Sequence, residues 1–109
     1  MFCVTSDPQR RVADFLDAND LHAPPAYRLL DLASEVGELA ADATNSTAYG
    51  STPENLDVNR DELGDTLFCL YALAEELGVD AEAAVDESLA KYESRIDDSG
   101  DPGSGVPEK

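Results

Sequence analysis

Positively charged side chains are scarce in this sequence of 109 residues. It contains 7 lysines and arginines against 24 aspartates and glutamates, which gives a net charge of −17 at pH 7. A nonspecific nucleic-acid binder needs a basic face that displaces counterions from phosphates, and a protein that binds an anionic membrane surface also needs basic residues. The composition therefore argues against a nucleic-acid polymer and against a membrane as the partner.

Long apolar runs and cysteines are scarce as well. The longest apolar run, Leu67 to Ala74, has eight residues, which is too short to cross a bilayer. The sequence shows no charged start followed by a long apolar stretch, so it predicts no secretory signal. The two cysteines, Cys3 and Cys69, do not form a disulfide framework. These features predict a cytoplasmic protein in which Cys69 is a small core residue.

The acidic residues accompany an ordinary hydrophobic content of 42%. The chain therefore has enough apolar side chains for one domain with one core. Only Lys91 and Lys109 are lysines. Many acids with almost no lysine are typical of a halophilic protein, because concentrated salt screens the self-repulsion. A merely acidic cytosolic protein is the alternative.

Proline, glycine and capping residues divide the chain into four predicted helices, and no strand alternation is present. The first runs from the Asp7-Pro8 cap to about Ala18, and the second from Pro24-Pro25 to about Ala43. The third begins at Thr52-Pro53, or later if Asp57 is the cap, and ends at Gly78; the fourth runs from Asp80 to about Ile96. Residues 1–97 are predicted to form the helical domain, and 98–109 a disordered acidic tail.

The third predicted helix is apolar on nearly every side of its middle. A heptad-like seam consists of Leu63, Leu67, Leu70, Ala74 and Leu77. A helix that is apolar all round is buried all round, and three other short helices can cover only part of it. We therefore predict an all-α fold, an antiparallel four-helix bundle that assembles as a homo-oligomer, at least a dimer.

Two pairs of acids carry the chemistry that the sequence offers. Glu35 and Glu38 lie three residues apart on the second helix, and Glu62 and Asp65 lie three residues apart on the third. At this spacing both acids of a pair share one helix face. On adjacent antiparallel helices the two pairs would meet, and four such carboxylates either take up protons or hold cations. Hard oxygen ligands select magnesium or manganese.

A solvated acidic face is the alternative explanation for the second helix. Asp31, Glu35, Glu38 and Asp42 follow the helical period and lie opposite Leu29, Val36 and Ala40. The third helix favours a buried setting, because Glu62 and Asp65 share their side with Val58, Cys69 and Ala72. A glycine inside each acid pair, Gly37 and Gly64, is costly in a helix, which predicts a close approach between helices at these positions.

The acid pairs resemble the signature of the MazG-like nucleotide pyrophosphohydrolases of the all-α nucleoside triphosphate pyrophosphatase superfamily. Glu-x-x-Glu is followed, after a gap of 23 residues, by Glu-x-x-Asp. The resemblance covers roughly Tyr27 to Ile96. It extends to four flanking segments, at residues 32–39, 62–68, 73–78 and 91–95.

The resemblance implies hydrolysis of nucleoside triphosphates to the monophosphate and pyrophosphate, including house-cleaning of non-standard nucleotides. It implies that magnesium, or manganese, is held by the catalytic acids Glu35, Glu38, Glu62 and Asp65, in a homodimer or homotetramer. Basic residues near Lys91 and Arg95 contact phosphate in the family, so these two are predicted phosphate ligands. A surface pair bound to Glu87 or Asp98 is their alternative role. No motif fixes the residues that bind the base.

Two other functions stay open on the sequence. Phosphoribosyl-ATP pyrophosphohydrolases also carry paired acids on helices, but they usually show a histidine soon after the second pair, and residues 66–74 contain none. The second is a catalytically inactive acidic helical module, in which the acids serve solubility alone.

Overall fold

The computed structural model describes residues 7–103 and consists of four α-helices without a strand in that range. The helices are α1 (Asp7–Ala18), α2 (Pro25–Ser46), α3 (Arg60–Leu77) and α4 (Ala81–Ser99), with a 3₁₀ turn at Pro53–Asn55. The all-α prediction is confirmed. None of the described helices is long and apolar enough to span a membrane. Cys3 and the tail beyond Gly103 lie outside the described residues.

Local capping explains most of the helix boundaries. Gly78 ends α3 with φ at 69°, a left-handed conformation that glycine adopts without a Cβ penalty. The carboxylate of Asp80 accepts the backbone N–H groups of Glu82 and Ala83 at 3.0 and 3.4 Å, so it caps α4 as predicted. The predicted end of α4 is wrong by three residues, because the helix continues to Ser99 and takes Asp98 and Ser99 from the predicted tail.

The predicted start of α3 at Thr52-Pro53 is also wrong. The Thr52 hydroxyl donates to the carbonyl of Thr47 at 3.1 Å and caps no helix, so Pro53 opens only the 3₁₀ turn. The cap of α3 is Asn59, whose side-chain oxygen accepts the backbone N–H of Asp61 at 2.8 Å. Asparagine is a better N-capping residue than threonine, so the helix begins after Asn59 and not after Thr52.

Helix α3 lies in the centre, with α1 and α2 packed against it. Helix α2 runs antiparallel to α3, because Arg28 near the start of α2 lies 3.7 Å from Glu76 near the end of α3. From α1, Phe15 meets Phe68 edge to face with ring centroids 5.9 Å apart. The buried apolar residues are Leu16, Cys69, Ala72, Leu73 and Ala74, which confirms Cys69 as a core residue.

Helix α4 does not close a bundle within one chain. Of its residues, all of which the structure describes, none is buried, and its apolar stripe is exposed: Val85, Leu89, Tyr92 and Ile96. The four leucines of the predicted α3 seam are also about half exposed, with Leu63 at 50% and Leu77 at 55%, whereas Ala74 is buried. One chain therefore leaves two apolar helix faces uncovered, and the antiparallel four-helix bundle stays a prediction.

Gln9 joins α1 to the turn between α3 and α4. Its side chain is 1% exposed. It donates to Glu75 Oε2 at 2.7 Å and to the carbonyl of Val79 at 2.8 Å, and it accepts the backbone N–H of Ala81 at 2.8 Å. A buried amide that satisfies two backbone groups fixes this turn, because either group would be costly to leave unpaired.

Replacing Gln9 by leucine should therefore destabilise the protein by about 2–3 kcal/mol, because the Val79 carbonyl and the Ala81 N–H lose their partner. Chemical denaturation measures the change. Asp14→Asn on the exposed face of α1 is the control and should leave the free energy of unfolding unchanged. A Gln9→Leu protein as stable as the control would contradict this role.

His22 connects the α1–α2 loop to α3. Its Nε2 meets a carboxylate oxygen of Asp17, and its Nδ1 lies 3.1 Å from Glu76 Oε2. Glu76 also accepts the backbone N–H of Ala23 at 2.9 Å and faces the Arg28 guanidinium. The hydrogen bond to Asp17, and then that to Glu76, raise the pKa of His22 above its ordinary 6.5. The Ala23 N–H is the main cause that lowers the pKa of Glu76.

The raised pKa of His22 predicts a loss of stability in mildly alkaline solution. Protonated His22 stabilises the fold fully below about pH 6.5, and this contribution is lost as the pH rises through the folded-state pKa. The difference in melting temperature between the natural protein and His22→Gln should therefore shrink as the pH rises above about 6.5. A difference that stays constant, or grows with pH, would show that His22 carries no charge in this contact.

Candidate metal centre

Three carboxylates converge where α2 packs against α3. One oxygen from each of Glu35, Glu62 and Asp65 lies within 4.8 Å of the other two. Glu35 and Glu62 are partly buried, and Asp65 is exposed. The arrangement follows from the helical period, because Glu62 and Asp65 lie one turn apart on the face of α3 that meets α2.

Glu38, the fourth predicted acid, stays outside this group of three. Its side chain is exposed, one turn after Glu35 on α2. Its negative charge nevertheless acts on the cluster, because it is among the causes that raise the pKa of both Glu35 and Glu62. The structure thus brings three predicted acids together and places the fourth beside them.

Burial and repulsion both disfavour the charged form of the cluster. Desolvation is the main cause that raises the pKa of Glu35, and the charge of Asp65 comes next. Desolvation likewise raises the pKa of Glu62, followed by the charge of Glu38. Such a group gains stability by taking up a proton or a cation. Protons will therefore compete with a cation at higher pH than they would at an ordinary carboxylate.

The donor set fits a hard divalent cation. All three groups offer carboxylate oxygens, the ligands that magnesium and manganese prefer over softer metals. Magnesium binds oxygen at about 2.0–2.1 Å, so ligands on opposite sides of the ion are about 4.2 Å apart. Only one pair of the three oxygens can lie on opposite sides of an ion, so the oxygens, each within 4.8 Å of the other two, would approach one another by side-chain rotation on binding it.

The acidic face of α2 points towards α3, so the solvated-face interpretation is wrong for Glu35 and Asp42. Both are partly buried, whereas Leu29 and Val36, expected on the inner side, are 53% and 49% exposed. The buried or partly buried positions Arg28, Leu32, Glu35, Leu39 and Asp42 form the stripe that faces α3, so polar and apolar side chains alternate along it. Arg28 meets Glu76, and Asp42 accepts the backbone N–H of Asn59 just before α3.

The two glycines do not mark a close approach within one chain. A Cβ atom added at Gly37 or Gly64 would meet no atom within 4 Å, so that prediction is wrong for the single chain. Gly64 borders an open groove between α1 and α3 that Phe15, Phe68 and Tyr71 also line.

The predicted phosphate ligands Lys91 and Arg95 lie on α4. Each contacts the ring of Tyr92, at 5.1 and 5.9 Å from its centroid. The Arg95 guanidinium also donates to the carbonyls of Pro102 and Gly103 at 3.3 and 2.8 Å. Within residues 7–103, no ion pair joins either cation to the carboxylate cluster, nor to Glu87 or Asp98.

Sequence reasoning missed the buried cation at one end of the α2–α3 interface. The Arg28 side chain is 10% exposed, donates to the carbonyl of Leu21 and lies 3.7 Å from Glu76 Oε2 through Nε. Its position seven residues before Glu35 was the available signal, because this spacing places both on one helix face. Arg28 anchors the start of α2 on the end of α3.

Comparison with known proteins identifies one family. The family model of the MazG nucleotide pyrophosphohydrolase domain matches residues 25–99, which are 75 of the 109 residues and contain the whole carboxylate cluster. No curated protein and no solved structure matches the chain significantly.

Proposed function

The chain belongs to the MazG nucleotide pyrophosphohydrolase family, and on that premise we propose that it hydrolyses nucleoside triphosphates to the monophosphate and pyrophosphate with magnesium or manganese. The observation that carries the proposal is the convergence of Glu35, Glu62 and Asp65 inside the matched region. Glu38 completes the acidic site as the neighbouring charge.

The three carboxylates are the residues that would hold the cation, through one oxygen each. When bound, a divalent cation neutralises the triphosphate and lowers the pKa of an attacking water. The carboxylates orient that water through hydrogen bonds, and a second oxygen of one of these three carboxylates, which does not bind the cation, takes up its proton.

The net charge of −17 makes the cation necessary for substrate binding. A triphosphate carries about four negative charges and is repelled by a chain with 24 acids and 7 basic residues. We propose that Lys91 and Arg95 supply phosphate contacts in a homodimer or homotetramer. The uncovered stripe of α4 supports this assembly, because it offers an apolar face that a second copy can bury.

The test is product analysis with each common and non-standard nucleoside triphosphate, at low and at molar salt, with and without magnesium. The proposal expects magnesium-dependent release of pyrophosphate, and chelation of the metal should abolish it. Release of orthophosphate instead, or no hydrolysis in any salt, would overturn it.

Two other functions are outcomes of the same assay when phosphoribosyl-ATP is included among the substrates. Activity on phosphoribosyl-ATP alone would assign the chain to histidine synthesis. Inactivity towards every substrate, in a protein that is folded and oligomeric, would identify an inactive acidic module.

A further inference from the structure

Two side chains at the end of α2 hold the segment that leads into α3. Asp42 Oδ2 accepts the backbone N–H of Asn59 at 2.9 Å. Ser46 Oγ accepts the backbone N–H of Asp57 at 2.9 Å and donates to the carbonyl of Asp42 at 2.7 Å. The chain between α2 and α3 is therefore attached to α2 at two points, Asp57 and Asn59, just before the helix begins.

These hydrogen bonds fix the position of the α3 acids relative to α2. Asn59 is the N-cap of α3, and Glu62 follows three residues later on the first turn. Asp42 lies seven residues after Glu35, about 10.5 Å along the same stripe of α2. Because a helix transmits the position of its cap to its first turns, the two bonds determine where Glu62 and Asp65 meet Glu35.

The other end of the α2–α3 interface is held independently. There Arg28 and Glu76 form the contact, more than ten residues from the acid cluster along α3. A helix pair held at only that end can rotate or slide at the other. A shift of about 1 Å is sufficient to spoil a constellation of ligands.

We propose that Asp42 and Ser46 are positioning residues of the carboxylate cluster, which hold the cap of α3 so that Glu35, Glu62 and Asp65 converge on one cation. The inference rests on the proposed function in assuming that the cluster holds a divalent cation. Neither residue is a ligand in it; each acts through the backbone of the segment before α3.

A test has to separate the effect of the Asp42 charge on cation binding from the effect of its hydrogen bond. Asp42 faces Glu62, whose neighbours Glu35, Glu38 and Asp65 are also acidic. Ser46 has no charge, so Ser46→Ala removes a positioning bond and leaves the electrostatics unchanged. Asp42→Asn removes the charge but keeps an oxygen that accepts the Asn59 N–H, whereas Asp42→Ala removes both.

Titration of Mn²⁺ into the full chain, followed by the electron paramagnetic resonance of free Mn²⁺, tests the proposal. Ser46→Ala and Asp42→Ala are expected to weaken binding by about tenfold or more, the size seen when a group that orients metal ligands is lost. Asp42→Asn should bind within about threefold of the natural protein. Thr44→Ala is the matched control, because the Thr44 hydroxyl bonds only the carbonyl of Ala41 in its own helix.

Melting temperature and helix content are measured on the same samples. Ser46→Ala that binds Mn²⁺ as tightly as Thr44→Ala overturns the positioning role, and so does equal weakening in Asp42→Asn and Asp42→Ala. If Ser46→Ala fails to fold, the comparison between the two Asp42 variants decides. A failure of the proposed function gives a different result, because in that case the natural protein binds no more Mn²⁺ than Glu62→Gln does.

Discussion

Glu62→Gln is expected to reduce the rate of pyrophosphate release by about 1,000-fold or more. A metal ion that stabilises the charge of the transition state contributes several kcal/mol, and each 1.36 kcal/mol corresponds to a factor of ten in rate. The substituted amide keeps the size of the side chain but is a poor ligand. The same substitution should raise the melting temperature of the metal-free protein, because it removes one charge from a partly desolvated and repulsive cluster.

Opposite changes in activity and stability distinguish a cation site from a structural role. Glu87→Gln, on an exposed position of α4, is the charge-matched control and should change neither quantity. Glu38→Gln should lower the rate of pyrophosphate release less than Glu62→Gln does, because Glu38 lies outside the group of converging oxygens. Activity retained in Glu62→Gln would contradict the metal centre, as would a loss of stability that accounts for the lost activity.

Leu89→Glu is expected to dissociate the oligomer into single chains. Leu89 lies in the middle of the α4 stripe and is 55% exposed in one chain. If a second copy covers this stripe, the substitution buries a charge without a partner, which an interface does not tolerate. Light scattering in high salt should give the mass of a dimer or tetramer for the natural protein and that of a single chain for Leu89→Glu.

The control for this substitution is Ser94→Glu, which adds the same charge on the opposite side of α4. It should leave the mass unchanged. A natural protein that is a monomer in high salt would show that no second copy covers α4, and it would remove the proposed route by which Lys91 and Arg95 reach the phosphates.

The sequence was sufficient for features that local interactions determine. The left-handed Gly78, the Asp80 cap and the one-turn separation of Glu62 and Asp65 all depend on neighbours within a few residues. Helical period and capping chemistry specify these features without reference to the rest of the chain. Cys69 and Ala72 likewise assign Glu62 to the partly buried side of α3, whereas Asp65, one turn later, is exposed.

Features that depend on packing between helices could not be derived in this way. The outward orientation of Val36 and the inward orientation of Glu35 are set by contacts with α3, and the period of α2 is compatible with either. The hydrogen bond from the Asn59 N–H to Asp42, seventeen residues away, is likewise a contact that the helical period does not encode. The open space beside Gly64 likewise depends on how α1 packs against α3, which no local pattern of residues encodes.

Anomalous diffraction of crystals grown with Mn²⁺ locates the cation directly. We expect a peak within about 2.5 Å of carboxylate oxygens from Glu35, Glu62 and Asp65, at the interface of α2 and α3. The peak should be absent in crystals of Glu62→Gln grown in the same way. Carboxylates that point into separate regions of solvent, with no peak between them, would contradict the claim that these three residues hold the catalytic cation.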